Sequence, residues 1–182
     1  MEFYDSDLQN ANFREAVIYN TKFNNSKITD IDFSNAVIHD TRFINLKKPD
    51  EESYMNFSYA KLENVLFDKY NLKGTDFHNA ELNTVSFKES NLNNSDFNHA
   101  ILREIDFQEV DLTGVKGLES CEFENIKMNR AKLLCNEDYV LQITKEQFKN
   151  MFFDEIIIVD SEGEEHIMKK EDDIENTVFF YE

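Results

Sequence analysis

Thr75-Asp76-Phe77-His78-Asn79-Ala80-Glu81-Leu82-Asn83-Thr84-Val85-Ser86-Phe87-Lys88-Glu89-Ser90-Asn91-Leu92-Asn93-Asn94-Ser95-Asp96-Phe97 holds the pattern that decides the fold. A large apolar residue returns at every fifth position: Phe77, Leu82, Phe87, Leu92, Phe97. The same beat runs from Phe3 to Phe43, from Phe57 to Leu112 and through Phe123, Met128 and Leu133, giving 24 centres. Every phenylalanine between Met1 and Leu133 falls on it. Two residues before each centre sits a second uncharged, mostly small residue, such as Ala11, Thr21, Ser26, Ala60, Ala80, Ser95 or Ala131. A period of five fits neither the 3.6 of a helix nor the 2 of a flat strand.

Two inward and three outward residues per five describe one short side followed by a corner. Four such sides close one square turn, so each centre stacks on the fourth centre after it, as Phe77 on Phe97. The alternation of Phe with Leu or Ile supports an even number of sides, because Phe columns and aliphatic columns then stay unmixed. Stacked coils rise by about 4.8 Å, which suits offset ring stacking. Two residues after the centre come Asn10, Asn20, Asn25, Asn35, Asn45, Asn64, Asn79, Asn94 and Asn125, with Gly74 and Gly114 in the same place. These residues tolerate the positive φ of a tight corner.

Ala11-Asn12-Phe13, Thr75-Asp76-Phe77, Ser90-Asn91-Leu92 and Ser95-Asp96-Phe97 resemble the repeat of the pentapeptide-repeat family, loosely Ala-(Asp/Asn)-Leu/Phe-X-X. The resemblance covers residues 1–133. It implies an all-β fold, a right-handed quadrilateral β-helix of about six coils. Some members of that family mimic DNA and bind bacterial type II topoisomerases, conferring quinolone resistance. For this chain the resemblance implies such a partner only as an alternative, because a repeat marks a fold rather than a partner.

The beat is interrupted twice. From Phe43 to Phe57 is one residue short of a multiple of five, and 47–54, with the only proline, reads as a loop. Its simplest accounting advances two sides and bulges four residues outward. Between Leu112 and Phe123 one extra residue is assigned to an irregularity at 114–118. After Leu133 the segment 134–182 reads as an acidic C-terminal cap. Thr144-Lys145-Glu146-Gln147 has the form of a capping box, opening a helix over 145–153. Glu155 to Val159, Glu165 to Met168 and Thr177 to Tyr181 are strand candidates. The N-terminal end has no cap, since Phe3 is already a centre. That end is exposed, covered by Tyr4 and its neighbours, or buried in a homodimer.

The 182 residues carry 37 acids against 19 bases, a formal net charge of −18. This argues against direct binding to nucleic acid or an anionic membrane, both of which need basic surface. A protein partner fits better. Residues 1–133 hold a net −8 and residues 134–182 a net −10. Duplex DNA the length of the rod, roughly 30 Å, carries about 18 charges. The rod alone has less than half of that. Asp76, Glu89, Asp96, Glu104, Asp106, Glu109 and Asp111 form the candidate partner-binding acidic surface, since one full turn separates Asp76 from Asp96 and Glu89 from Glu109. Cys121 and Cys135 are too few for a disulfide framework, and Cys121 falls on an inward position. The start lacks the pattern of a secretory leader, and cytoplasm is the expected compartment. No metal-ligand spacing, phosphate loop or nucleophile motif is present, so no catalytic residue, cofactor or metal is expected. The chain reads as a non-catalytic acidic interaction scaffold. A gyrase-directed DNA mimic is the alternative, and a purely structural module is third.

Overall fold

The computed structural model describes residues 1–47, 54–135, 140–169 and 179–181. Most of the chain winds as a parallel β-solenoid. Its strands are β1 (Glu2–Tyr4), β2 (Val17–Tyr19), β3 (Lys22–Asn24), β4 (Val37–Ile44), β5 (Lys61–Leu66), β6 (Glu81–Ser86), β7 (Ile101–Arg103), β8 (Glu122–Glu124), β9 (Ile126–Lys127) and β10 (Lys132–Leu134). Phe3 pairs with Phe23, Ile18 with Ile38 and Leu62 with Leu82, in each case with the fourth centre along. A square turn of four five-residue sides is thereby established.

Each side carries one column of centres. Rings on the Phe23 side (Phe3, Phe23, Phe43, Phe67, Phe87, Phe107) stack at 4.6–5.5 Å. Those on the opposite Phe13 side (Phe13, Phe33, Phe57, Phe77, Phe97) stack at 4.8–5.3 Å. The two ladders meet edge to face across the core at 5.5–6.4 Å. Edge-to-face pairs add about 0.5–1.5 kcal/mol each beyond the burial of their area. The Ile18 and Ile28 sides complete the square with aliphatic columns. One departure occurs: Phe123 follows Leu102 on the aliphatic Ile18 side, and Met128 follows Phe107.

Asp and Asn just before a centre accept the backbone N–H two residues on, as in Asp32 to Ser34 and Asp96 to Asn98, both 2.9 Å. The corner residue then takes a positive φ. Among the described residues twenty-one non-glycine residues do so, including Glu15, Tyr59, Lys69, Thr84, His99 and Arg130 as well as the asparagines. The corner is therefore a demand of the coil. Asn answers it most easily, but bulkier residues are held there by the coils on either side.

Beyond the first break Ile38 pairs with Leu62, a spacing of 24, so this turn holds four residues more than the regular twenty. Residues 48–53 of that loop lie outside the described residues. The second break overlaps the expected 114–118 only at Gly117 and Leu118. Asp96 still pairs with Lys116 at 20, whereas Leu102 pairs with Phe123 at 21. The extra residue thus lies after Lys116, in a 3-10 turn at Leu118–Ser120. Leu118 is fully buried where the count from Phe97 lands on Gly117. Gly117, at φ 76°, lies so close to Asn98 that a Cβ there would meet it at 2.5 Å.

Parallel pairing continues past Leu133. After β11 (Val140–Thr144) comes a helix, α1 (Lys145–Lys149), then β12 (Met151–Phe152), β13 (Glu155–Val159), β14 (Glu165–Lys169) and β15 (Phe179–Tyr181). β12 stacks on β9 and β13 on β10, each a full turn plus one further five along the chain, while β14 folds back antiparallel on β13. The helix is therefore shorter than the expected 145–153. Its capping box forms, with Gln147 N donating to Thr144 Oγ1 at 3.1 Å and Thr144 N to Gln147 Oε1 at 2.7 Å. It stops at Asn150 because Met151, buried to 1% exposure, is drawn into the next coil beside Ile126. The third strand candidate is described only over Phe179–Tyr181, where β15 pairs with β11; residues 177–178 lie outside the described residues.

Two glutamine side chains tie the C-terminal segment to an earlier coil. Gln147 Nε2 donates to Leu118 O at 2.6 Å and to Cys121 O at 2.8 Å, and Gln142 Nε2 donates to Leu112 O at 3.0 Å. The Leu118 and Leu112 carbonyls also accept amides of their own turns, Cys121 N and Val115 N, both at 3.1 Å.

Candidate functional site

The seven candidate acidic residues are spread over three sides of the square and the corners between them. Asp76 and Asp96 stack on the Phe13 side, in a column that runs Asn12, Asp32, Asn56, Asp76, Asp96 and ends at Lys116. Asp106 lies on the opposite side, with Glu104 at the corner before it and Glu109 at the corner after it. Asp111 occupies the next side, and Glu89 sits one coil from Glu109. No single acidic stripe contains all seven, because consecutive sides of a square point in different directions.

The four aspartates are also tied into their own turns. Asp76 accepts from His78 N at 2.9 Å and contacts His78 Nδ1 at 2.7 Å. Asp96 receives Asn98 Nδ2 at 2.7 Å, Asp106 receives Gln108 N at 3.0 Å, and Asp111 receives Thr113 N at 3.0 Å and its hydroxyl at 2.7 Å. Among the glutamates, Glu89 pairs with Lys69 at 3.3 Å and Glu104 accepts from the Thr84 hydroxyl at 3.2 Å. Elsewhere Lys61 meets Glu81 at 2.9 Å, and Arg103 meets Glu124 at 3.2 Å. Much of the acidity is thus answered within the rod.

Glu104 alone of the seven lines a groove with a volume of about 860 Å³. It runs along the corner of Thr84, Glu104 and Asn125 and across Gln108, Lys127 and Asn129 to Phe152, Phe153 and Asp154. Phe152 is 55% exposed, while Phe153 beside it is buried against Phe148 with ring centres 5.5 Å apart. Asn129 Oδ1 accepts from the amides of Asp154 and Glu155, both at 3.2 Å, and so holds that wall in place. The groove thus offers one apolar ring, two carboxylates, an ammonium and several amides. Phe152 was missed from sequence because it lies beyond the beat; its place appears only once β12 is seen to stack on β9.

The buried nucleophiles are not poised for chemistry. Burial pushes the Cys121 thiol up to about 12, and its Sγ contacts Phe97 O at 3.0 Å. Cys135 is raised by the same cause, and the Tyr70 hydroxyl is pushed up to about 12. A thiol held protonated is a poor nucleophile. Among the described residues no group of three or more His, Cys, Asp or Glu is placed to hold a metal, and no helix is long and apolar enough to cross a membrane.

Comparison with family descriptions matches residues 2–45 to pentapeptide repeats (9 copies) and residues 52–117 to a pentapeptide repeat region. The chain belongs to the pentapeptide-repeat family. The gap between the two matches falls on the loop, and the matched repeats end at Gly117, where the extra residue enters. Similar solved structures include full-length QnrB1, a plasmid-mediated fluoroquinolone resistance protein. It is 14% identical with a TM-score of 0.49, over 87% of this chain and 93% of that one. HetL, a pentapeptide repeat protein involved in heterocyst differentiation regulation in Nostoc sp. strain PCC 7120, is 17% identical with a TM-score of 0.30, over 84% and 67%. A pentapeptide repeat protein of the Arabidopsis thaliana thylakoid lumen is 19% identical with a TM-score of 0.30, over 61% and 68%. Comparison with curated proteins found no match.

Proposed function

We propose that this pentapeptide-repeat chain is a non-catalytic scaffold that docks a protein segment in the groove between Glu104 and Phe152. The observation that carries the reading is Phe152, an exposed aromatic ring in a concave setting beside the carboxylates of Glu104 and Asp154. Aromatic anchors in such settings dominate protein interfaces, and carboxylates at the rim favour a basic partner. The test is affinity capture with the full chain and with Phe152→Ala and Glu104→Lys. A partner held by the wild type and lost from both variants, at unchanged melting temperature, supports the reading. Equal recovery by all three sinks it.

The net charge of −18 and the column of Asp32, Asp76 and Asp96 along one side favour a second reading, a DNA mimic acting on gyrase. Against it, the other acids turn to different sides and several pair with bases of neighbouring coils. Loss of supercoiling by purified gyrase on adding micromolar chain supports the mimic, and unchanged supercoiling excludes it.

A further inference from the structure

Several exposed glutamates of the rod are answered by bases one coil away, as Glu81 by Lys61, Glu89 by Lys69 and Glu124 by Arg103. The groove beside β12 departs from this. Among the described residues neither Glu104 nor Asp154 forms an ion pair, and Lys127 between them forms none either. Phe153 turns inward, so Phe152 and Asp154 on either side of it both line the groove, roughly 7 Å apart along the chain. Asp106 pairs with Lys127 and Lys127 with Phe152. Glu104, at the corner before Asp106, therefore stands two coil rises from Phe152, roughly 10 Å. Lys127 and Asn129 occupy the level between. Asn129 Oδ1 is held by the amides of Asp154 and Glu155, which leaves its Nδ2 to donate into the groove.

We propose that the occupant of this groove is an extended basic segment of a partner protein, carrying two cations three residues apart. One is an arginine whose guanidinium lies on the Phe152 ring and pairs with Asp154. The other answers Glu104. This deepens the docking function proposed above and rests on it. The spacing follows from the groove: an extended chain advances about 3.3 Å per residue, so three residues cover the two coil rises. Lys127 repels a cation placed between the two and leaves that stretch to backbone carbonyls, which its ammonium and Asn129 Nδ2 meet as donors. Arginine suits the Phe152 end better than lysine. Its planar guanidinium stacks on a ring and engages a carboxylate through two parallel N–H bonds, whereas an ammonium is compact and strongly hydrated.

The test is titration of the isotope-labelled full chain with three acetylated and amidated peptides, Arg-Gly-Gly-Arg, Lys-Gly-Gly-Lys and Arg-Arg-Gly-Gly, read by amide chemical shifts. Shifts confined to the surroundings of Glu104, Lys127, Asn129, Phe152 and Asp154 are expected, with Arg-Gly-Gly-Arg bound at least about fivefold more tightly than either other peptide. Phe152→Ala, with the rest of its spectrum unchanged, is expected to lose the preference for arginine over lysine. Lys127→Ala is expected to narrow the preference for spaced over adjacent arginines. A groove that takes all three peptides equally, or a preference unchanged in Phe152→Ala, overturns the inference and leaves the docking function standing. Shifts absent from the groove, or scattered over every acidic side, overturn it too. The docking function itself is decided by the capture experiment above, which depends on no choice of peptide.

Discussion

At the scale of single residues, the corner is where this chain carries its local strain. An L-residue in the left-handed region costs about 1–2 kcal/mol, and Asn tolerates it better than a β-branched side chain. Thr84 is the one β-branched residue among the described corners, at φ 55°. Thr84→Asn is expected to stabilise the chain by about 0.5–1 kcal/mol, read as a melting temperature raised by a few degrees. An unchanged or lower value would mean that the Thr84 hydroxyl bond to Glu104 outweighs the backbone strain. The asparagine corners were legible from sequence because Asn recurs two residues after the centre. Glu15, Lys69 and Arg130 were not, since their side chains say nothing of φ and only the surrounding coils impose it.

At the scale of elements, the tail shows what periodicity leaves out. The capping box at Thr144 and the strand Glu155–Val159 were readable from local signals. The stacking of Met151 on Ile126 was not, because α1 adds an extra five to the turn and breaks the count. Leu118 was hidden in the same way, by a single inserted residue. Within the cap, Gln147 answers two carbonyls at once. Gln147→Leu removes both bonds, leaves the Leu118 carbonyl with the Cys121 amide alone, and is expected to cost about 1–3 kcal/mol in urea unfolding. Gln9→Leu, on the exposed surface, should change stability by under about 0.5 kcal/mol. The β13–β14 turn supplies a pH dependence. The His166 imidazole, followed by the backbone amides of Glu164 and Glu162, holds the Asp160 carboxyl below its usual value. A group depressed on folding stabilises above its unfolded pKa, and that contribution is lost as pH falls through the folded value. Amide exchange at Glu162 and Glu164 should therefore quicken at acid pH beyond the intrinsic rate, and Asp160→Asn should flatten this response. Protection that is constant through the acid range would contradict it.

At the scale of the molecule, the beat supplies a rigid square rod, and the proposed docking groove at Phe152 lies where α1 and β12 depart from that beat. The candidate acidic residues were legible as columns, because the four-sided turn fixes who stacks on whom. Their division between faces was less so, because it depends on which side each residue occupies. Capture of a protein partner by the full chain, by Phe152→Ala and by Asp96→Asn, which keeps the turn acceptor of Asp96, tests this reading most directly. A partner lost from Phe152→Ala and kept by Asp96→Asn is the expected result. A partner kept by Phe152→Ala and lost from Asp96→Asn would contradict it.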